Sequence, residues 1–318
     1  MLLCVGAVTA YGLSSVVGTN ELLVAIGLGT VVANTVGVPD WSRAGVETHG
    51  VWLAAGIVLL GGSLTVGDIV RVGADALVLL AGAVTLTLVG VELVARNADG
   101  IGERFGSLLA AGTGICGVSA VVAVGGAVSA RETQIAYAAG VVLLMDAITI
   151  VVYPIVGATL DLSGPVFGVW AGVSMLSTGP AIAVGFAHSE TAGQWATMTK
   201  LARNALIGVV ALGYASYYTR YQSDTSGSLR LMWANFPKFV LGFLILVALA
   251  SVGVLSPEQQ TSMSNAVNWL FLLAFVGLGT EIRVADLRET GVAPALVVLA
   301  VMLTVSVLSL TAATVILG

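Results

Sequence analysis

The sequence predicts an all-α polytopic membrane protein with ten or eleven transmembrane helices. Hydrophobic residues make up 58% of the 318-residue chain and charged residues only 9%, whereas roughly a quarter of the residues in a soluble domain are charged. The chain contains 40 glycines but only seven prolines, which favours closely packed helices in lipid over a disordered chain. Two apolar stretches are interrupted by small and hydroxyl residues, which predicts two discontinuous helices.

Polar clusters divide the chain into eleven apolar spans, most of them near the roughly 17 to 25 residues that cross a bilayer. The spans are residues 2–18, 22–38, 51–66, 74–95, 105–128, 135–158, 164–187, 195–218, 237–254, 266–280 and 291–317. We interpret residues 1–318 as one transmembrane domain. Its parts are 1–218, which holds both broken helices, a cytoplasmic connector at 219–238, and C-terminal repeat helices at 239–318.

Basic residues concentrate in alternate loops, which indicates the orientation in the membrane. One side collects eight of them, namely Arg43, Arg96, Arg104, Arg220, Arg230, Lys238, Arg283 and Arg288. The other loops hold Arg71 and Arg131. Because cytoplasmic loops carry the excess of Lys and Arg, we expect a cell (inner) membrane protein with a cytoplasmic amino terminus and an extracellular carboxyl terminus.

The two helix breaks are predicted at residues 112–119, Gly-Thr-Gly-Ile-Cys-Gly-Val-Ser, and 174–180, Ser-Met-Leu-Ser-Thr-Gly-Pro. Glycine lets the backbone leave helical geometry cheaply, and Pro180 frees a carbonyl one turn earlier. Non-helical backbone at membrane depth is tolerated where it is buried in protein or lines a wet cavity, so the breaks predict a binding site. The alternative is close packing of two intact helices through small residues.

If the helices unwind and cross near the membrane midplane, their second halves present free amides and positive dipole ends to a bound anion. Hydroxyl groups there add donors without adding charge. The substrate-binding residues predicted from the breaks are Thr113, Gly114, Cys116, Gly117, Ser119, Ser174, Ser177, Thr178 and Gly179.

Three ionisable residues within the spans extend this predicted site. Lys200 and Arg203 lie three apart on one face of the eighth span. They are expected to attract an anionic substrate, or else to extend along the helix to the membrane interface. Asp146 is the most deeply placed acid. It is expected either to carry a coupling ion or to pair with Lys200 or Arg203.

An internal repeat favours a transporter. Residues 61–69, Gly-Gly-Ser-Leu-Thr-Val-Gly-Asp-Ile, are echoed by 279–287, Gly-Thr-Glu-Ile-Arg-Val-Ala-Asp-Leu, and residues 36–38, Val-Gly-Val, by 252–254. Spans two to four therefore resemble spans nine to eleven in opposite orientation, as in alternating-access transporters. A chance match between Gly- and Val-rich segments is the alternative.

Other classes of protein lack support in the sequence. His49 and His188 are the only histidines, and no metalloprotease, nucleophile-elbow or zinc-ligand motif occurs, so an enzyme is not expected. The chain is acidic, with a formal charge of −5, and no basic patch predicts nucleic-acid binding. A channel shares the broken helices, but the repeats favour alternating access.

The chain resembles the YeiH-like sulfate exporter family. The resemblance is carried in order along nearly the whole chain by residues 112–120, 167–174, 200–203, 239–243, 277–280 and 286–287. It implies a secondary transporter with inverted repeats and an oxidised sulfur anion as substrate. The family's second broken helix usually carries a His where this chain has Leu176, so Asp146 is the candidate to replace that titratable group.

We therefore expect a secondary transporter that exports a small anion such as sulfate or sulfite. The alternative is a sodium- or proton-coupled cation antiporter. No cofactor is expected, although coupling to Na⁺ or H⁺ is left open. The expected partners are the lipid bilayer, the small anion and a second copy of the chain in a homodimer.

Overall fold

A computed structural model describes residues 1–17, 20–63, 66–98, 101–219, 238–283, 285 and 292–317. Within these ranges the chain forms helices and contains no strand, which confirms the predicted all-α class. The predicted connector at 219–238 lies almost wholly outside the described residues, as do parts of both copies of the repeat at 61–69 and 279–287.

Fifteen α-helices are described. The first eight are α1 Leu2–Val17, α2 Glu21–Thr35, α3 Asp40–Val46, α4 His49–Leu60, α5 Val66–Asn97, α6 Glu103–Ala111, α7 Val118–Ala127 and α8 Glu132–Thr159. The others are α9 Gly164–Ser174, α10 Thr178–His188, α11 Glu190–Asn204, α12 Ile207–Thr219, α13 Phe239–Ser251, α14 Pro257–Glu281 and α15 Val292–Leu317. A 3₁₀ turn, Gly61–Ser63, extends α4, and a π-helical turn, Gly112–Cys116, follows α6.

Each predicted span corresponds to one of these helices or to a pair of them. In the described residues, four segments are long and apolar enough to cross a membrane, namely Val78–Asn97, Thr133–Thr159, Glu258–Glu281 and Val292–Leu317. Shorter apolar helices lie in four of the other spans, namely Leu2–Ser14, Glu21–Thr35, Val118–Ala127 and Leu241–Ser251, and Val118–Ala127 is the one that follows a predicted break. The predicted start of the tenth span, 266, was too late, because a capping box between Ser256 and Gln259 starts α14 in a polar segment.

The predicted continuous span at 195–218 was wrong, because it contains two helices. α11 ends at Asn204 and α12 begins at Ile207. The intervening turn, Ala205 and Leu206, contains neither Gly nor Pro, so local sequence gave no sign of it. The amide of Leu206 donates to the carbonyl of Arg203, which tightens the turn.

Two apolar clusters make up the core, and the broken helices lie between them. The first cluster joins α1, α2, α4, α13 and α14 to one face of α9 through Phe167 and Trp170. The second joins α5, α6, α7, α12 and α15 to the other face of α9 through Val166, Val169 and Val173. Since α9 contributes to both clusters, its carboxyl end and the break after it are held from two sides.

The backbone supports the internal repeat predicted from residues 36–38 and 252–254. Gly37 ends α2 with a φ of 76°, and Gly253 ends α13 with a φ of 74°. Positive φ is cheap only for glycine, which explains why both copies retain it. The two copies therefore end their first helices with the same backbone turn.

Contacts between the copies are reciprocal. A Cβ atom built on Gly61, after α4, would overlap the carbonyl oxygen of Phe243 in α13. A Cβ atom built on Gly279, the matching residue of α14, would overlap the carbonyl oxygen of Ile26 in α2. Each copy thus packs its second helix on the other copy's first helix, as do units related by a two-fold axis.

Candidate functional site

The first helix break lies where the sequence predicts it. α6 ends at Ala111, the π turn covers the next five residues, and Gly117 has φ 70° and ψ −135° before α7 begins at Val118. That conformation strongly favours glycine, because a side chain would meet the backbone. Gly117 therefore fixes where the second half-helix begins.

The second break is an extended segment between α9 and α10. Met175 has φ −70° and ψ 146°, and Ser177 has φ −93° and ψ 157°. Pro180 lies in the first turn of α10, where a missing amide costs no helical hydrogen bond. Both breaks are thus confirmed as interruptions of the helix, and the alternative of two intact helices is ruled out.

The two breaks are in direct contact. A Cβ atom built on Gly117 would overlap the Ser177 hydroxyl oxygen. The amino ends of α7 and α10 therefore lie side by side, close to the point where the two interrupted helices meet.

Lys200, on α11, is fully buried and reaches both breaks. Its Nζ donates to the carbonyl oxygens of Ile115 at 3.2 Å, Met175 at 2.7 Å and Leu176 at 2.5 Å. The Leu176 carbonyl is the one that Pro180 was predicted to free. The ammonium group therefore uses its three donors on carbonyls that the interrupted helices leave without a partner.

Arg203 satisfies the same carbonyl ends from one turn further along α11. Its Nε donates to the Gly114 oxygen at 2.7 Å, and Nη1 donates to the oxygens of Val173 and Met175, both at 2.7 Å. Nη2 donates to the Thr113 oxygen. With 1% of its surface exposed, the guanidinium ties the two breaks together.

Two neighbouring cavities open at the amino ends of the second half-helices. Their volumes are about 730 Å³ and 270 Å³. The residues that line both are Gly50, Leu53, Cys116, Val118, Ser119 and Thr178. Within the described part of the chain, no acceptor is found for the amides of Val118, Ser119, Thr178 and Gly179, as is usual in a first helical turn.

The predicted site residues divide into two groups. Those on the cavity walls are Cys116, Ser119, Ser177, Thr178 and Gly179. Those behind the walls are Thr113, Gly114, Gly117, Ser174, Lys200 and Arg203. Ser174, for example, donates to the Trp170 carbonyl at 2.5 Å and accepts from the Tyr153 hydroxyl at 2.9 Å. Substrate binding by this second group stays a prediction, and the hydrogen bonds that Lys200 and Arg203 already donate to backbone carbonyls favour an indirect role for these two residues.

Asp146, on α8, also lines the smaller cavity. Its Oδ1 accepts a hydrogen bond from the backbone amide of Ser177 at 3.1 Å, at the amino end of α10. Its Oδ2 is buried and has no hydrogen-bond partner among the described residues. No described basic residue forms an ion pair with it, so the expected pairing with Lys200 or Arg203 is not formed.

Three further polar residues on the cavity walls were not predicted. Asn204 donates through Nδ2 to the Thr178 hydroxyl at 2.9 Å, while its buried Oδ1 has no partner among the described residues. His49 Nε2 lies 3.3 Å from Glu281 Oε1, and both line the smaller cavity. In the sequence, only the position of Asn204 next to Arg203 could have indicated it. The contact between His49 and Glu281 depends entirely on how α4 and α14 pack.

Comparison with known proteins identifies the family. The family model described as "Conserved hypothetical protein 698" matches residues 1–298. A UPF0324 membrane protein of Nitratidesulfovibrio vulgaris is 32% identical over 281 residues, which cover 86% of this chain and 77% of the relative. A UPF0324 membrane protein of Bacillus cereus is 28% identical over 86% of this chain and 80% of the relative.

A third relative, from Clostridium tetani, is 27% identical over 76% of this chain and 74% of the relative, and it too is named a UPF0324 membrane protein. These names specify a membrane protein but no substrate or reaction. No solved structure matches the chain. The resemblance noted in the sequence is confirmed: the chain belongs to the Conserved hypothetical protein 698 family of UPF0324 membrane proteins, which is the YeiH-like family.

Proposed function

We propose that this protein is a secondary transporter of a small anion, with an oxidised sulfur anion such as sulfate or sulfite as the expected substrate. One observation carries the proposal. Each break has one carbonyl end and one amide end. Both carbonyl ends are bound by buried cations, and both amide ends face the cavities.

The carbonyl ends are where a bound cation would be expected, because they carry the negative end of the helix dipole. Lys200 and Arg203 already donate seven hydrogen bonds to six carbonyl oxygens there. A sodium ion would have to displace these donors from a buried place. The arrangement therefore disfavours Na⁺ at the carbonyl ends.

The amide ends offer the opposite chemistry. The amino ends of α7 and α10 are the positive ends of the helix dipoles. The first-turn amides there adjoin the hydroxyls of Ser119 and Thr178. Anions bind at such helix termini through backbone N–H groups. Lys200 and Arg203 lie behind them and add positive potential without contacting the anion. This arrangement supports a tetrahedral oxyanion, which accepts hydrogen bonds from several directions.

The repeat supports alternating access as the mechanism. The two cavities share residues at the amide ends, and from there they extend in different directions. The larger cavity follows α7 to Ala127, and the smaller one extends to His49 and Glu281. Repeat units that rock about a central site expose it to one side at a time. We further propose the cell membrane as the location, with a cytoplasmic amino terminus, and a homodimer as the assembly.

A cation antiporter is the second candidate, because Asp146 and Glu281 place two carboxyl groups on the smaller cavity. Carboxyl groups in a membrane cavity commonly bind transported protons or cations. The two candidates make opposite predictions about which ions stabilise the folded protein.

The test is thermal unfolding of the purified protein in detergent with sulfate, sulfite, thiosulfate, taurine, chloride or simple carboxylates, each with and without sodium and at several pH values. A ligand of the folded state raises the midpoint as its concentration exceeds the dissociation constant. We expect stabilisation by sulfur oxyanions. Stabilisation by sodium or pH alone, with no response to any anion, would favour the cation antiporter.

A matched pair of variants at Ser119 tests whether the anion binds at the first turn of α7. Ser119→Asp places a carboxylate at the first turn of α7, where it competes with an anion but suits the helix dipole. Ser119→Asn has nearly the same size and no charge. We expect Ser119→Asp to weaken sulfate binding by about tenfold or more, equivalent to about 1.4 kcal/mol, and Ser119→Asn to bind nearly as the native protein does.

A further inference from the structure

We propose that the Asp146 carboxylate and the transported anion compete for the amide end of α10, so that each anion binds together with one proton. This inference rests on the proposed function. It adds the coupling ion, the stoichiometry and the relative direction of the two movements.

The competition follows from where the carboxylate lies. Asp146 is 2% exposed, and its Oδ1 already occupies the Ser177 amide, the first donor at the start of α10. The Asp146 carboxylate therefore fills part of the site that a substrate anion would use. A substrate oxygen cannot accept from the same amide while a charged carboxylate holds it, because two anions at one helix end repel each other.

Asp146 is not locked in place by other contacts. Its Oδ2 is buried without a hydrogen-bond partner among the described residues, and it forms no ion pair there. An orphaned carboxylate oxygen on a cavity wall is a place for an added proton or for a ligand donor. The carboxyl group can therefore change both its charge and its partner without breaking a salt bridge.

The charged groups around Asp146 are few. α7 and α15, which pack against α8, contain no titratable residue, and the π turn contributes only Cys116. On α10 the only one is His188, at the far end, and on α6 Glu103 and Arg104 stand in the first turn. Among the residues that the structure describes, the remaining groups that face the site are Lys200 and Arg203 on α11, and His49 and Glu281 across the cavity.

Lys200 and Arg203 are fixed on carbonyl oxygens, and His49 and Glu281 form a pair with each other. These groups thus have partners of their own, whereas among the described residues the hydrogen-bond partner of Asp146 is Ser177. Among the described groups at the cavity, Asp146 is the one whose protonation directly frees an anion-binding donor.

Anion binding is coupled to protonation of Asp146. A proton adds to the Asp146 carboxylate to form the neutral acid, the Ser177 N–H releases Oδ1, and that N–H then donates to an oxygen of the arriving anion. The acid's O–H can donate to the same anion. One proton and one anion are bound together, so they cross in the same direction. The bound pair has no net charge for a monovalent anion and a charge of −1 for a divalent one.

Proton uptake on binding tests the proposal, because linkage is reciprocal: if a proton favours the anion, the anion favours the proton. Sulfate is the probe, since it does not itself titrate near neutral pH, and thiosulfate and chloride are compared with it. Binding is followed by calorimetry in two buffers of different ionisation enthalpy. We expect about one proton taken up per sulfate bound by the native protein, and affinity that falls about tenfold for each pH unit where the carboxylate is ionised.

Two variants complete the design. Asp146→Asn keeps the shape of the side chain without its charge and so mimics the protonated acid, and we expect sulfate to bind without proton uptake and without pH dependence. Glu92→Gln changes a carboxyl group that lines neither cavity, and it should retain the native proton uptake. Sulfate binding by the native protein with no proton uptake overturns the inference but leaves the proposed function standing. Proton uptake that persists in Asp146→Asn also overturns it. If none of the three anions binds, both the inference and the proposed function are overturned.

Discussion

Gly117 in the first helix break and Ser177 in the second are so close that a side chain on Gly117 would overlap the Ser177 hydroxyl oxygen. Each residue immediately precedes a half-helix, α7 or α10. Their contact therefore brings two positive helix ends together on one cavity wall. Two such ends would repel each other without a compensating charge, and Asp146 supplies one of opposite sign on the Ser177 amide.

Gly117→Ala tests this contact. The φ of 70° and ψ of −135° cost a non-glycine residue about 1–3 kcal/mol, and the new methyl group would force the breaks apart. We expect a lower unfolding midpoint and weaker anion binding. Gly213→Ala is the control, because a Cβ atom there meets nothing within 4 Å and alanine favours a helix. Equal midpoints for the two variants would contradict a close contact between Gly117 and Ser177.

Arg203→Lys tests whether the guanidinium is a structural donor to the carbonyl ends. An ammonium group has three donors on one atom and cannot reach all four carbonyls that the planar fork reaches. Each buried carbonyl left unpaired costs about 1–3 kcal/mol. We expect a large loss of stability in the absence of any anion, measured by thermal unfolding in detergent.

A direct substrate ligand would behave differently at this position. Arg203→Lys would then unfold at the native midpoint without anion and would lose only the stabilisation by sulfate. Arg96→Lys is a suitable control, because Arg96 forms a partly exposed pair with Glu92 outside both cavities.

Thr178→Val tests the hydroxyl at the amide end of α10. The change removes the acceptor that Asn204 Nδ2 uses at 2.9 Å and a donor on both cavity walls, with little change in size. We expect roughly tenfold weaker sulfate binding, near 1.4 kcal/mol, measured by calorimetry. Thr178→Ser keeps the hydroxyl and should bind nearly as the native protein does. Native binding in Thr178→Val together with a loss in Thr178→Ser would mean that the methyl group, not the hydroxyl, matters.

Cys116 reports on occupancy of the cavities, since it lines both of them. In a Cys4→Ala background it is the one thiol left in the chain, which contains two cysteines. We expect a small methanethiosulfonate to modify it through the cavity and saturating sulfate to slow the reaction, as measured by mass spectrometry. An unchanged rate with sulfate bound would place the anion elsewhere.

The helix breaks were predictable because their cause is local. Gly112, Gly114 and Gly117 supply cheap non-helical backbone, and Pro180 is tolerated in the first turn of a helix, so it indicates the start of α10. The repeat was also predictable in part, because Gly37 and Gly253 are required by the same positive φ. Both inferences depend on backbone preferences that a residue carries wherever it is placed.

The roles of the charged residues could not be predicted in the same way. Arg203 has the same attraction for a substrate oxygen as for a carbonyl oxygen, and only the fold decides which lies nearby. Likewise, His49 and Glu281 are far apart in the chain and meet because α4 packs on α14. The turn at Ala205 and Leu206 contains neither Gly nor Pro, so the local sequence does not indicate it.

The position of a bound anion tests most directly whether the amide ends of α7 and α10 form the anion site. Selenate has the shape and charge of sulfate, and its selenium atom is located by anomalous diffraction from crystals grown with it. We expect one anomalous peak on the cavity wall, within hydrogen-bonding distance of the backbone amides of Ser119 and Thr178. A peak in contact with Lys200 and Arg203, or no peak at the amide ends under saturating selenate, would contradict this expectation.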